Sequence, residues 1–374
     1  MPTQGSAGNE AAIPPPRPHE SSGIHALRHL LAAIVVVSHS WTVLHGNDVH
    51  EPLMILTRGQ MTAGALAVDA FFVLSGFLVC QSWIHSASAT EFILRRVLRI
   101  YPAFLVVCLA QGLLLVPAIT GDWRALKSSD PFLRILLFGV TLGGAGDASV
   151  SDPAPFAANP FGGQLNASLW TIRPEFLCYL ILAAIAAAGL IRTRLVRILL
   201  LLTFTLLFAF SPDWDWDESL KAILGTFYYW PRFLAFFLAG VCLCYEGSKL
   251  STSRRTCAGL TLALGVASMN PIGFRAALPI LGSWLLFASI SNRWLVHLSQ
   301  RIPWDLSFGI YLYGFPCQQL LILGTGAAWH PALFAMVALS LTTLPAAASW
   351  WIIERRALAL KHSIPALLGR EKST

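Results

Sequence analysis

The chain has 374 residues, of which 55% are hydrophobic and 12% charged, and a net charge of +7 at neutral pH. Soluble domains carry about 25% charged residues and about 45–50% apolar ones. Here the apolar residues come in blocks near the roughly 20 needed to cross a bilayer, which excludes a soluble enzyme. The surplus positive charge falls in short clusters between the blocks, as membrane topology places it, so no nucleic-acid partner is expected.

Residues 1–22 form a polar, Pro-rich tail that lacks the basic start and apolar core of a signal peptide. About ten spans follow, near 24–45, 62–84, 100–119, 169–191, 196–211, 222–244, 257–270, 276–292, 305–326 and 331–353. The stretch 131–142 is too short to cross and reads as an interfacial or re-entrant piece. The Gly/Pro/Ala-rich stretch 143–166 reads as a loop. The loop "SPDWDWDES" (Ser211–Ser219) is acidic and tryptophan-rich, which suits an outer interface. The expected domains are a cytoplasmic tail (1–22), one transmembrane domain (23–356) and a basic cytoplasmic tail (357–374).

With the N-terminus in the cytoplasm, one side collects Arg95, Arg96, Arg99, Arg192, Arg194, Arg197, Lys249, Arg254, Arg255, Arg293, Arg301, Arg355, Arg356 and Lys361. The other side holds Arg58, Arg124, Lys127, Arg134, Lys221 and Arg275. This positive-inside bias predicts an all-α polytopic membrane protein with both termini cytoplasmic. Seven cysteines lie mostly within apolar runs. They show no CxxC or Cys/His spacing, so neither a zinc site nor a disulfide framework is expected.

Several ionisable residues interrupt the apolar blocks, where they are costly and usually face the bundle interior or a wet cavity. In "RHLLAAIVVVSHS" (Arg28–Ser40), Arg28 and His39 share one helix face about 16 Å apart along the axis. That helix alone leaves two readings open, a snorkelling arginine with a packed histidine or a functional pair. Asp69 lies about a third of the way into the second span from its outer end, where Ser75-Gly76 offers a small surface for close helix approach; Asp69 reads either as a structural salt bridge or as a functional carboxylate. "FILRRVLRIYPAF" (Phe92–Phe104) gathers Arg95, Arg96 and Arg99, either as positive-inside anchors or as a phosphate clamp. Arg173 and Glu175 flank Pro174 in the first turns of the fourth span. Asn166-Ala-Ser168 is formally a glycosylation sequon. Depth joins these pieces: His39, Asp69 and Glu175 can share an outer layer, while Arg28, Arg96 and Arg99 share an inner one. A cationic inner mouth below such a pocket suits a long ligand with a phosphorylated head.

These residues resemble the acyltransferase-3 family of integral membrane O-acyltransferases. The family's first-span pattern of a basic residue, ten residues and a histidine is matched by Arg28 and His39. "VDAFFVLSGF" (Val68–Phe77) matches its second-span element, and Arg96–Arg99 looks like its RxxR. "SLWTIRPEF" (Ser168–Phe176), "YWPRFLAFFLAG" (Tyr229–Gly240), "DLSFGIYLYGFPCQQ" (Asp305–Gln319) and "ASWWIIERR" (Ala348–Arg356) are similar to further elements in the same order. Departures are Arg356 in place of a usual proline, Gly314 in place of a common histidine, and the Arg173-Pro174 pair ahead of Glu175.

The resemblance implies transfer of an acyl group, most often acetyl, from cytoplasmic acyl-CoA to a hydroxyl of a carbohydrate or glycolipid in a bacterial inner membrane. His39 would act as general base or transient acyl carrier. Glu175 or Asp69 would orient the imidazole, as the third group of a hydrolase triad does. Arg28, Arg96 and Arg99 would hold the CoA phosphates, and no metal is expected. Trp170, Arg173, Tyr229 and Arg232 are the candidate acceptor-binding residues. The competing readings are a secondary transporter with a buried proton relay and a non-catalytic membrane partner of a glycan assembly system.

Overall fold

A computed structural model describes residues 23–123, 129–143, 155–211 and 229–364. The N-terminal tail, most of the acidic loop 211–219 and the last ten residues lie outside the described residues, as does part of the Gly/Pro-rich stretch 143–166. The described part is helical, with no strand among the described residues.

Twelve helical stretches carry the fold. They are α1 (Ile24–His45), α2 (Ala63–Ile84), α3 (Ala89–Thr120), α4 (Ser129–Val140), α5 (Ile172–Ala187), α6 (Arg194–Phe210), α7 (Trp230–Glu246), α8 (Arg254–Ala267), α9 (Pro271–Ile290), α10 (Arg293–Arg301), α11 (Ser307–Thr325) and α12 (Pro331–His362). Among the described residues, six stretches are long and apolar enough to cross a membrane: α1, α2, α3, Leu169–Ala187 (a short 3₁₀ turn leading into α5), α9 and α12. Each of the ten apolar blocks read from the sequence is mainly helical in its described residues. Three of those helices (α6, α7 and α8) fall short of that length in their described residues, and α11, with 19 residues, falls short in hydropathy.

Local chemistry sets the helix ends. Ser88 and Thr62 accept the N3 amide hydrogens of α3 and α2, and Gly46 closes α1 in the left-handed conformation at φ 75°. The span expected at 100–119 begins instead at Ala89, because the arginine-rich turn continues the same helix. Its far part widens into a π turn at Gln111–Leu115 and ends at Thr120. The 12-residue α4 lies against α3: Phe138 stacks near Phe104, and Gly112 leaves room for Ile135.

Close backbone crossing holds the centre. A Cβ on Gly76 of α2 would sit 2.0 Å from the Phe237 carbonyl oxygen, and one on Gly240 of α7 would sit 2.0 Å from that of Val73. Small residues that let helix backbones touch in this way are the usual adhesive inside membranes. The pairings Gly23 N–H to Ile290 O, Ala26 N–H to Ser299 Oγ and Arg96 to Ser82 Oγ gather five helix ends. The starts of α1 and α3 and the ends of α2, α9 and α10 thus lie at one end of the bundle, where α11 also begins.

Ahead of α5 the described residues 155–168 run into the bundle without helix or strand, and their polar groups are met by buried amides. Asn159 Nδ2 donates to both the backbone oxygen and Oε1 of Gln319, each at 2.9 Å, and Gln319 Nε2 donates to Phe161 O at 2.6 Å. Pro316 in α11 has no amide hydrogen for the Leu312 carbonyl one turn earlier, and Asn166 Nδ2 fills that vacancy at 2.8 Å. The sequon asparagine is therefore a helix-kink cap within the fold. Irregular backbone at membrane depth is tolerated where it is satisfied in this way.

Gly240→Val should lower the melting temperature in detergent by an amount corresponding to about 3 kcal/mol, the upper range for overpacking. Gly259→Val, on α8 where nothing lies within 4 Å of a new Cβ, should leave it nearly unchanged. Equal melting shifts for the two variants would disprove the close crossing.

Candidate active site

A cavity of about 560 Å³ opens among the basic residues at the α1 start and runs inward between α1, α2, α3, α5 and α11. Arg28, Arg95, Arg96, Arg99 and Lys361 line its wide end, while Ser75, Thr171, Glu175, Tyr179 and Tyr311 line its depth. Four residues singled out in the sequence (Arg28, Arg96, Arg99 and Glu175) therefore converge on one space.

Asp305, just before α11, organises the mouth. Its Oδ2 accepts from Arg28 Nη1 and Arg99 Nη2, both at 2.8 Å, and its Oδ1 accepts from Ser307 Oγ at 2.6 Å. Burial would disfavour a lone charged carboxylate here, and the Arg28 and Arg99 guanidinium groups offset that cost. Arg95 is matched by Glu91 at 2.5 Å. Arg96 is held more loosely, donating to Ser82 Oγ at 3.1 Å and facing the Phe92 ring. His25, His29 and Asp305 bring three potential metal-ligand atoms within 4.8 Å of one another. The His29 Nε2 lone pair is already used by the Leu306 amide hydrogen, and Asp305 serves two arginines. The donor set fits an ion-pair cluster better than a metal.

At the deep end, Ser75 Oγ donates to Glu175 Oε1 at 2.5 Å, Tyr179 donates to the same oxygen, and the two hydroxyls lie 2.9 Å apart. Among the described residues nothing hydrogen-bonds to Glu175 Oε2. Arg28 and Arg96 lie within electrostatic reach of this carboxylate. Thr171 and Tyr311, joined hydroxyl to hydroxyl at 2.5 Å, close the space beyond it. A carboxylate with one oxygen fixed and one open can accept or relay a proton at a set position.

His39 does not line this cavity. Its half-buried ring meets Phe315 edge-on at 5.7 Å. Phe315 lies one turn beyond Tyr311 on α11, and Tyr311 with Phe71 forms the cavity wall, their rings 6.2 Å apart. An aromatic layer thus stands between His39 and the cavity end. Neither Glu175 nor Asp69 hydrogen-bonds to His39 among the described residues; the carboxylate that acts on its ring is Asp48, which also accepts from Thr42. Gly314 lets α11 approach α1, since a Cβ there would fall 2.6 Å from Val36 Cγ2.

Asp69 is bound elsewhere. Its carboxylate takes a two-pronged ion pair from Arg232, Nε to Oδ1 at 2.7 Å and Nη2 to Oδ2 at 2.9 Å, and Arg232 also reaches Ala65 O. Tyr229 and Arg232 line a second, smaller polar cavity of about 180 Å³, together with Gln60, Ser211 and Arg275. Since Gln60 and Arg232 sit at the start of α2 and α7, this cavity lies at the end of the bundle away from the arginine mouth. Trp170 packs on Tyr229 at 4.7 Å and on Phe233 at 5.5 Å, with 44% of its surface exposed, and Arg173, the second residue of α5, is half-buried. Sequence reasoning missed Asp305, Tyr179 and Asp48 as site residues. Only Asp305 had a signal, its place in "DLSFGIYLYGFPCQQ".

Helices able to cross a membrane, packed round a cavity with a cationic mouth and a carboxylate at its closed end, mark an integral membrane enzyme. The chain belongs to the acyltransferase-3 family, whose model, described as an acyltransferase domain, matches residues 21–353. It is 30% identical to an O-acetyl transferase of Shigella phage Sf6, over 91% of this chain and 97% of that protein. It is 28% identical to nodulation protein 10 of Rhizobium leguminosarum bv. viciae, over 91% of this chain and 94% of that one. No solved structure matches the chain. The chain is thus an O-acyltransferase.

Asp69→Asn breaks the two-pronged ion pair between the buried Asp69 carboxylate and the half-buried Arg232 guanidinium and should destabilise the protein by about 3 kcal/mol, the lower end for breaking a buried pair. Asp69→Leu with Arg232→Met should recover much of that loss in a thermal melt, because both charges leave together. Tyr179→Phe should slow acyl transfer about tenfold to a hundredfold, through the loosened Glu175, with no change in melting temperature. An unaltered rate would remove Glu175 positioning from the site.

Proposed function

We propose that this enzyme moves an acetyl group from cytoplasmic acetyl-CoA to a hydroxyl of a carbohydrate or glycolipid unit at the opposite face of a bacterial inner membrane. The reading places ten spans in the membrane with both termini cytoplasmic, so that the arginine mouth faces the cytoplasm. Its main support is the cavity itself: a guanidinium cluster at the open end and a carboxylate–hydroxyl cluster at depth suit a phosphorylated head and a slim reactive tail. The name of the phage relative supports acetyl as the transferred group.

In this reading Arg28, Arg96 and Arg99 hold phosphate oxygens, for which their unused N–H groups are suited. The pantetheine arm follows the cavity inward past Glu175. Arg28 and His39 are about 16 Å apart along α1, a distance that an extended thioester arm covers once the Phe71–Tyr311 layer gives way. The acceptor reaches the aromatic layer from the far side, where Trp170, Arg173, Tyr229 and Arg232 meet it. His39 removes the proton of the acceptor hydroxyl. The oxygen attacks the thioester carbonyl, the C–S bond breaks, and the CoA thiolate leaves and is protonated.

Membranes containing the protein, supplied with labelled acetyl-CoA, should release free CoA and label a glycan fraction. His39→Ala should cut that rate about 10²–10⁴-fold, the usual worth of a positioned base, at equal abundance. Undiminished transfer by His39→Ala would overturn the assigned base. Uptake of a solute without any acetylated product would overturn the donor reading as a whole.

A further inference from the structure

Lys361 lies in the stretch that the sequence presents as a basic tail, eight residues past the end of the family match. The structure instead turns its side chain into the wall of the main cavity, beside His25, Arg95, Arg96 and Arg99. Arg99, Arg96, Arg95 and Arg28 all act on it electrostatically, and it is half-buried.

Five cations therefore share one opening, and the carboxylates there serve only three of them. Asp305 takes Arg28 and Arg99, and Glu91 takes Arg95. Arg96 has only a serine hydroxyl and an aromatic face, and its Nε is buried without a partner. Among the described residues Lys361 pairs with no carboxylate. Like charges held together inside a half-buried opening repel strongly, and solvated lysines on a free tail would swing apart. Glu175 acts on Arg96 without an ion-pair contact, so two cations with no direct carboxylate partner face one cavity, an arrangement complementary to an anion of two or more charges.

We propose that Lys361, with Arg96, clasps the phosphate groups of the acyl-CoA donor at the cavity mouth. The C-terminal turn of α12 then supplies a donor contact that lies outside the family's matched region. The assignment rests on the acyl-CoA reading given above. The planar Arg96 fork meets two phosphate oxygens, while Lys361 acts as a point charge on the same group.

The test compares two donors on the intact protein reconstituted in vesicles: acetyl-CoA, and S-acetylpantetheine, which has the same thioester arm without phosphate. Lys361→Gln should raise KM for acetyl-CoA about tenfold, the worth of one charge-assisted contact, and Lys361→Arg should restore it. KM for S-acetylpantetheine should differ little between Lys361→Gln and the unaltered protein. A rise common to both donors, or no rise for either, overturns the clasp while leaving acetyl-CoA as donor. If Lys361→Gln changes only the dependence of rate on phosphatidylglycerol content, the cation pair serves a lipid headgroup and the clasp is wrong. If the unaltered protein turns over neither thioester, the donor reading falls and takes the clasp with it.

Discussion

A single carboxylate, Asp305, carries the geometry of the cavity mouth. Two guanidinium groups from helices far apart in sequence would repel each other across this opening. By accepting 2.8 Å contacts from both, Asp305 ties the starts of α1 and α11 to the first third of α3. The neighbouring Leu306 amide hydrogen, donated to His29, and the Ser307 hydroxyl fix the carboxylate in turn. Each guanidinium spends one of its several N–H groups on Asp305, so the mouth is both braced and still able to bind an anion. Partly buried pairs of this kind add little net stability, but losing one partner leaves the others uncompensated.

Away from the mouth, the same problem of charge in an apolar setting is solved differently. Asp69 and Arg232 neutralise each other across α2 and α7, beside the glycine crossing that brings those helices into backbone contact. The pair locks the half of the bundle opposite the mouth and leaves Arg232 at the edge of the smaller cavity. The irregular chain leading to α5 is held by amide side chains instead of charges. It delivers Thr171 and Glu175 to a depth that a continuous helix entering from the surface would have filled with apolar residues.

Much of this was legible in the sequence, and the part that was not has a common cause. Block length and polar breaks located α1 to its last residue, because a span bounded by glycines has clear ends. They started α3 about ten residues late, because arginines read as a loop until they are seen to line one face of a helix. Arg28, Arg96, Arg99 and Glu175 were identifiable as ionisable residues that apolar spans do not carry without reason, and they meet at one cavity. Periodicity placed His39 on the same face of α1 as Arg28, but phase along one helix does not reveal the Phe71, Tyr311 and Phe315 rings contributed by two others. Asp69 had a structural reading from the start; its partner lies 163 positions away, and no local pattern encodes such a distance.

Lys361 adds a lesson about register. Just before it, α12 passes through a π turn at Trp350–Glu354, where Ser349 Oγ donates to Glu354 Oε1 at 3.0 Å. A π turn takes one more residue than an α turn, so everything after it is rotated by about 100° from the uninterrupted helix. The direction in which the last turn of α12 points is therefore set by the one extra residue that this π turn takes up. Deleting a residue within Trp350–Glu354 would leave every side chain of that turn in place in the sequence and swing Lys361 away from the opening. Relatives that differ in length at this point would therefore present different residues to the same cavity, however similar their C-terminal sequences.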